Sequence, residues 1–196
     1  MKRYLQLICI VSVFLPLNTQ SQVPDIYINE FMASNSKTVA DPDFNEYSDW
    51  IEIYNNSDSS VNLRGYFLSD NFFNPTRWEI NDDILIGAKQ YLVIWCDSED
   101  TILQALHTDF NLRRGGEEIG LYTDKISIID TVSFAGQRTD ISMGRNPGLP
   151  SSWEFYNEPT PGSINSDSAC IVSDPPIVSL EEGFYESDQK LYILSK

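Results

Sequence analysis

The heptapeptide Asp49-Trp50-Ile51-Glu52-Ile53-Tyr54-Asn55 constrains the fold more than any other stretch of the chain. Ile51 and Ile53 fall on one face at period two, with Trp50, Glu52 and Tyr54 on the other, which is the pattern of a half-buried antiparallel strand. Turn-forming residues from Asn55 to Ser60 close it. Neighbouring segments read as its partners. Residues 25–32 place Ile26 and Ile28 on one face, and residues 61–63 lead through Arg64-Gly65 into a strand at 66–68. Trp78 and Ile80 alternate, and residues 91–96 are apolar enough to predict burial on both sides. Strands at 119–123 and 126–134 are joined by the hairpin-length connection Asp124-Lys125.

Residues 100–107 are the single helical candidate of the mature chain, with Ile102, Leu103 and Leu106 at helical spacing and Ser98 or Asp100 as the cap. Short strands with Gly, Pro and Asn punctuation and almost no helix predict an all-β sandwich or barrel. Pro147, Pro150, Pro159, Pro161, Pro175 and Pro176 crowd the C-terminal quarter. Sheet pairing is expected to have largely ended there, because proline cannot donate to a ladder.

The N-terminus reads as a targeting segment over residues 1–21. Lys2-Arg3 begin it, a short apolar run follows from Tyr4 to Leu17, and small residues end at Ser21. The run is too short for a membrane span, so the expectation is export to the cell surface or the medium, with no membrane insertion after cleavage. The chain carries 13 Lys+Arg against 29 Asp+Glu, and losing Lys2 and Arg3 leaves about -18. Such a charge repels phosphate backbones, which argues against nucleic acid and leaves proteins or carbohydrates as partners. The sequence leaves the oligomeric state open. Export also makes cysteine usage informative. Cys9 departs with the signal, and a Cys96–Cys170 disulfide is permitted, as are two separate thiols with Cys96 half-buried.

A family resemblance emerges from Asn29-Glu30-Phe31-Met32-Ala33-Ser34-Asn35, the 49–55 heptapeptide, and Val61-Asn62-Leu63-Arg64-Gly65-Tyr66-Phe67-Leu68-Ser69-Asp70. Gly116-Glu117-Glu118-Ile119-Gly120-Leu121, Ile129-Asp130-Thr131-Val132, Ser142-Met143-Gly144-Arg145 and Thr160-Pro161-Gly162-Ser163-Ile164-Asn165 follow in order. Together they resemble a lamin-tail domain of the exported bacterial type, spanning residues 22–165. The resemblance implies an immunoglobulin-like β-sandwich. Residues 166–176 read as a Ser/Asp/Pro-rich linker. Residues 177–196 resemble the incomplete start of a second β-sandwich, of the repeat type found at the C-terminal end of some hexosaminidases. Such neighbours imply a non-catalytic attachment module of a larger exported protein. The same company also suits an accessory domain that positions a spore-coat-kinase-like or hydrolase domain.

No catalytic residue is named. His107 is the only histidine, and no nucleophile elbow accompanies any serine. Asp41-x-Asp43 with Glu46 and Asp49 offers oxygen ligands for a calcium site, the one cofactor the residues allow, although Glu46 stands where an EF-hand needs glycine. A solvated acidic loop is the reading these residues favour over a metal site. With calcium, the domain reads as a calcium-stabilised carbohydrate-binding module. Trp50, Tyr54, Phe72 and Phe73 are the candidate contact aromatics, since rings on a sheet face or loop can stack on sugars or anchor a protein partner.

Overall fold

The computed structural model describes residues 24–165 and the backbone of three short strands beyond them. The expected signal segment and most of the expected linker and C-terminal piece lie outside the described residues. Numbered in chain order, the strands are β1 (Ile26–Met32), β2 (Asp49–Asn55), β3 (Val61–Asn62), β4 (Phe67–Ser69), β5 (Trp78–Glu79), β6 (Leu85–Ile86), β7 (Tyr91–Cys96), β8 (Leu106–His107), β9 (Gly116–Tyr122), β10 (Ile128–Ala135), β11 (Ser142–Asn146), β12 (Leu149–Tyr156), β13 (Ala169–Cys170), β14 (Ile177–Val178) and β15 (Ile193–Leu194). One sheet runs β13-β12-β11-β1-β2-β7-β8 and faces a second, β10-β9-β4-β5. Ile28, Phe31, Ile51, Ile53 and Ile94 from the first meet Leu68, Ile119, Leu121, Val132 and Phe134 from the second. Each such side chain contributes about 1.5–3 kcal/mol on burial. The architecture is an immunoglobulin-like β-sandwich.

The outer face of the large sheet takes its character from one irregularity. A bulge at Asn29 breaks the alternation of β1, so Ile28 and Phe31 both face the core. Across β1, β2 and β7 the outer face then carries three rows in register: Tyr27–Tyr54–Tyr91, Glu30–Glu52–Val93 and Met32–Trp50–Trp95. Val39 and Ala105 pack over the third row, whose members are buried. The strap of residues 160–165 lies over the acidic row. Gly144, opposite Glu30 on β11, makes room for it, since a Cβ there would lie 2.5 Å from Asn165 Nδ2 and 3.1 Å from Glu30 Cγ.

Two expectations need correction, and the cysteines, left open between a disulfide and separate thiols, have a geometry. Residues 100–107 form no helix. An Ile102↔Leu106 bridge leads into β8, which pairs in parallel with Ile94 and Trp95. That non-local pairing overrides a short helical pattern, and positive φ at Ser98 (68°) and Asp100 (48°) bends the chain into it. Sheet pairing also continues into the proline-rich region as the β11–β12 hairpin. Proline is tolerated there because Pro147 sits in the turn and Pro150 falls within the register shift between Arg145 and Asn146. Finally, Cys96 is a free, buried thiol on β7, whereas Cys170 lies on β13 beyond four intervening strands. At about 4.8 Å per strand they stand roughly 24 Å apart. A disulfide reaches only about 5.5 Å between Cα atoms.

Gly144→Ala should therefore expel Asn165 and loosen the strap, costing on the order of 1–3 kcal/mol in urea unfolding with an unchanged slope. Wild-type stability in this variant would mean that the strap does not depend on the close approach.

Candidate ligand-binding surfaces

The tyrosine row is the least covered part of the outer face: Tyr54 and Tyr91 are half-buried, whereas Tyr27 is 6% exposed and lies under Arg145. Ring centroids lie 5.4 Å apart for Tyr27–Tyr54 and 4.6 Å for Tyr54–Tyr91. They form one side of a depression of about 170 Å³, completed by Asn29, Asn56, Asn146 and Asn165, Arg145, two prolines and Ile164. Arg145 is held in place rather than free to reach out. Its guanidinium lies 5.2 Å from the Tyr27 ring centre and 4.5 Å from that of Trp153. It pairs with Asp130 at 2.6 Å and donates to the Ile28 and Pro150 carbonyls at 2.7 and 2.6 Å. Burial, with the nearby Tyr54 phenol, pushes Tyr27 and Tyr91 up to about 12, so these two phenols are neutral at physiological pH. The depression presents ring surface, neutral hydroxyls and amides.

Beside it, Glu30 and Glu52 are fully buried and opposite one another in register. Glu30 accepts from Thr160 N at 3.2 Å, from Thr160 Oγ1 at 3.1 Å and from Ser142 Oγ. Glu52 accepts from Asn29 Nδ2 at 2.8 Å and from Gly162 N. Asn29 also donates to Asn165 Oδ1 at 2.8 Å, and Asn165 Nδ2 donates to the Arg145 carbonyl at 2.7 Å. Burial pushes Glu52 up to about 8, helped by the neighbouring Glu30, whose own pKa is also raised by burial. With no surface exposed to a substrate, the pair holds the strap.

The proposed calcium residues divide. Asp41 and Asp43 come together, but with His107 rather than with Glu46 or Asp49. Glu46 is exposed, and Asp49 accepts from Asn35 N at 3.3 Å while burial pushes it up to about 6. His107, the last residue of the expected helix, is fully buried. Its Nδ1 meets Asp97 Oδ2 at 2.7 Å and its Nε2 meets Asp43 Oδ2 at 3.1 Å. Burial alone would lower the histidine pKa, and the hydrogen bonds to Asp97 and Asp43 outweigh it, so the net shift is upward. Asp43 and His107 are 64 residues apart, so no local pattern could have announced the contact.

Among the candidate aromatics, Trp50 is wholly buried under the 33–47 segment and presents no contact surface. Its neighbour in the heptapeptide, Tyr54, lines the depression. Phe72 is half-buried with its amide on Glu118 Oε2 at 2.8 Å, while Phe73 is 96% exposed. Tyr27 and Tyr91 were missed because the register that aligns them with Tyr54 is a property of the sheet.

The chain belongs to the lamin tail domain family, whose profile matches residues 19–136, more than half of its length. This domain is a non-catalytic immunoglobulin-like fold, compatible with an interaction module. No curated protein matches the chain.

The acidic row makes stability depend on pH. Because the folded-state value of Glu52 is raised, its contribution is fully present below the ordinary carboxyl range and is lost as pH rises through about 8. The wild-type melting temperature should fall by several degrees between pH 6 and pH 9. Glu52→Gln loses one acceptor and starts lower, but its pH profile should be flatter; an equally steep profile would clear Glu52 of the effect.

Proposed function

We propose that this domain is a non-catalytic attachment module of an exported multidomain protein, and that the tyrosine depression is its contact face for a neutral cell-surface carbohydrate. The observation that carries the reading is the Tyr27–Tyr54–Tyr91 row, whose rings meet a fringe of asparagine amides in one shallow recess. Ring faces complement the apolar faces of a sugar, while amides and neutral phenols exchange hydrogen bonds with its hydroxyls. The strongly acidic chain disfavours anionic ligands, and the charge of Arg145 is already committed to Asp130. The same face would serve an accessory role equally, by docking a neighbouring catalytic domain on its substrate.

The reading also accounts for why chemistry is not assigned to this segment. The only histidine is buried with both ring nitrogens on carboxylates, so it offers solvent no free base.

Calorimetric titration with neutral oligomers of glucose and of N-acetylglucosamine tests the proposal. Binding should weaken at least about tenfold, equal to about 1.4 kcal/mol, when Tyr54→Ala and Tyr91→Ala are combined. Phe73→Ala should leave it unchanged. A wild-type protein that binds neither oligomer series, or binding that survives the double substitution, would refute the carbohydrate assignment and turn attention to a protein partner.

A further inference from the structure

We propose that Asp41, Asp43 and His107 form a site for a zinc-class divalent cation, with Asp97 as the residue that orients the histidine. His107 Nε2 lies 3.1 Å from Asp43 Oδ2 and 3.9 Å from Asp41 Oδ1, and all three donor atoms fall within 4.8 Å of one another. Ligands bonded tetrahedrally at about 2.0–2.2 Å lie roughly 3.3–3.6 Å apart, so a cation fits once the carboxylates draw in by about 1 Å or less each. The three side chains are 0–3% exposed. Asp41 and Asp43 share one loop while His107 comes from β8, 64 residues beyond Asp43, and their meeting depends on β8 lying against β7.

Two further features distinguish this site from an ordinary acidic loop. Asp97 binds the opposite ring nitrogen, Nδ1, at 2.7 Å, the carboxylate–histidine arrangement that fixes tautomer and ring direction in metal sites. The charge is also unbalanced. Three carboxylates surround one imidazole, and among the described residues no lysine or arginine pairs with any of them. Backbone amides answer part of this charge, Asp43 accepting from Gln104 N and Ala105 N at 3.1 and 2.9 Å and Asp41 from Asp43 N and Phe44 N at 2.7 and 3.1 Å, and a dication beside Nε2 supplies the rest.

The ligand set selects the metal. Calcium takes six to eight oxygens, whereas an imidazole nitrogen with two carboxylates suits zinc or cobalt. The ion would tie the 33–47 segment to the sheet edge, the kind of cross-link that the separated cysteines do not provide. It stands apart from the tyrosine face and does not depend on the carbohydrate reading.

The test uses the full chain, stripped of metal and titrated with cobalt and zinc salts. One equivalent of cobalt should develop the visible bands of a four-coordinate ion, zinc should displace it, and saturating zinc should raise the melting temperature by several degrees. His107→Gln should abolish the bands. Asp41→Asn, which keeps an acceptor for the Asp43 and Phe44 amides, guards against a simple failure to fold and should also lose them. Asp97→Asn should weaken zinc binding about 10–100-fold while leaving the site able to fill. Absence of cobalt bands, zinc binding retained in His107→Gln, or a calcium-induced stabilisation matching that of zinc would overturn the assignment, leaving an internal ion pair in the first case.

Discussion

The outer architecture of this domain depends on two carboxylates held side by side away from water. Placing Glu30 opposite Glu52 on adjacent strands is unfavourable unless both are hydrogen-bonded and at least partly protonated. The segment from Thr160 to Asn165 meets the first requirement by supplying backbone amides and a hydroxyl, and in doing so acquires its own position. Neither side is stable without the other. Asn29, pushed out of the alternation by the β1 bulge, and Gly144, which lacks a side chain, are the two backbone adjustments that let the partners meet.

From that arrangement follows a division of the sheet surface. One row is apolar and roofed by the 33–47 segment, one is acidic and roofed by the strap, and one stays partly open along Tyr54 and Tyr91. Its openness is therefore selective. The strap also supplies one wall of the tyrosine recess through Ile164 and Asn165, so the acids shape the recess without lining it.

The sequence revealed the sandwich well because its long strands satisfy local rules. The alternation of Ile51 and Ile53 and the apolar run at 91–96 report burial directly. Reading failed where distant residues decide the outcome. The helical spacing at 102–106 lost to parallel pairing with β7, and prolines marked a turn and a bulge rather than the end of the sheet. The site was legible only in fragments: Tyr54 and the Asp41/Asp43 pair were visible, whereas their partners Tyr27, Tyr91 and His107 arrive through register and topology. Trp50 shows the converse limit, since nothing local says that a loop will cover an outward-facing indole.

The β7–β8 contact has a consequence for how such domains behave in company. A long bare edge strand is a template on which a second copy can add its own backbone, and sheets that meet this way fuse. Here the edge ends in two residues of parallel pairing, continued only by the single Asp97↔Asn111 bridge, with the chain bent sharply by positive φ on either side of Glu99. The exposed ladder is short and crooked. This edge offers a second copy little template, whereas the eight-residue β10 forms an edge of the other sheet.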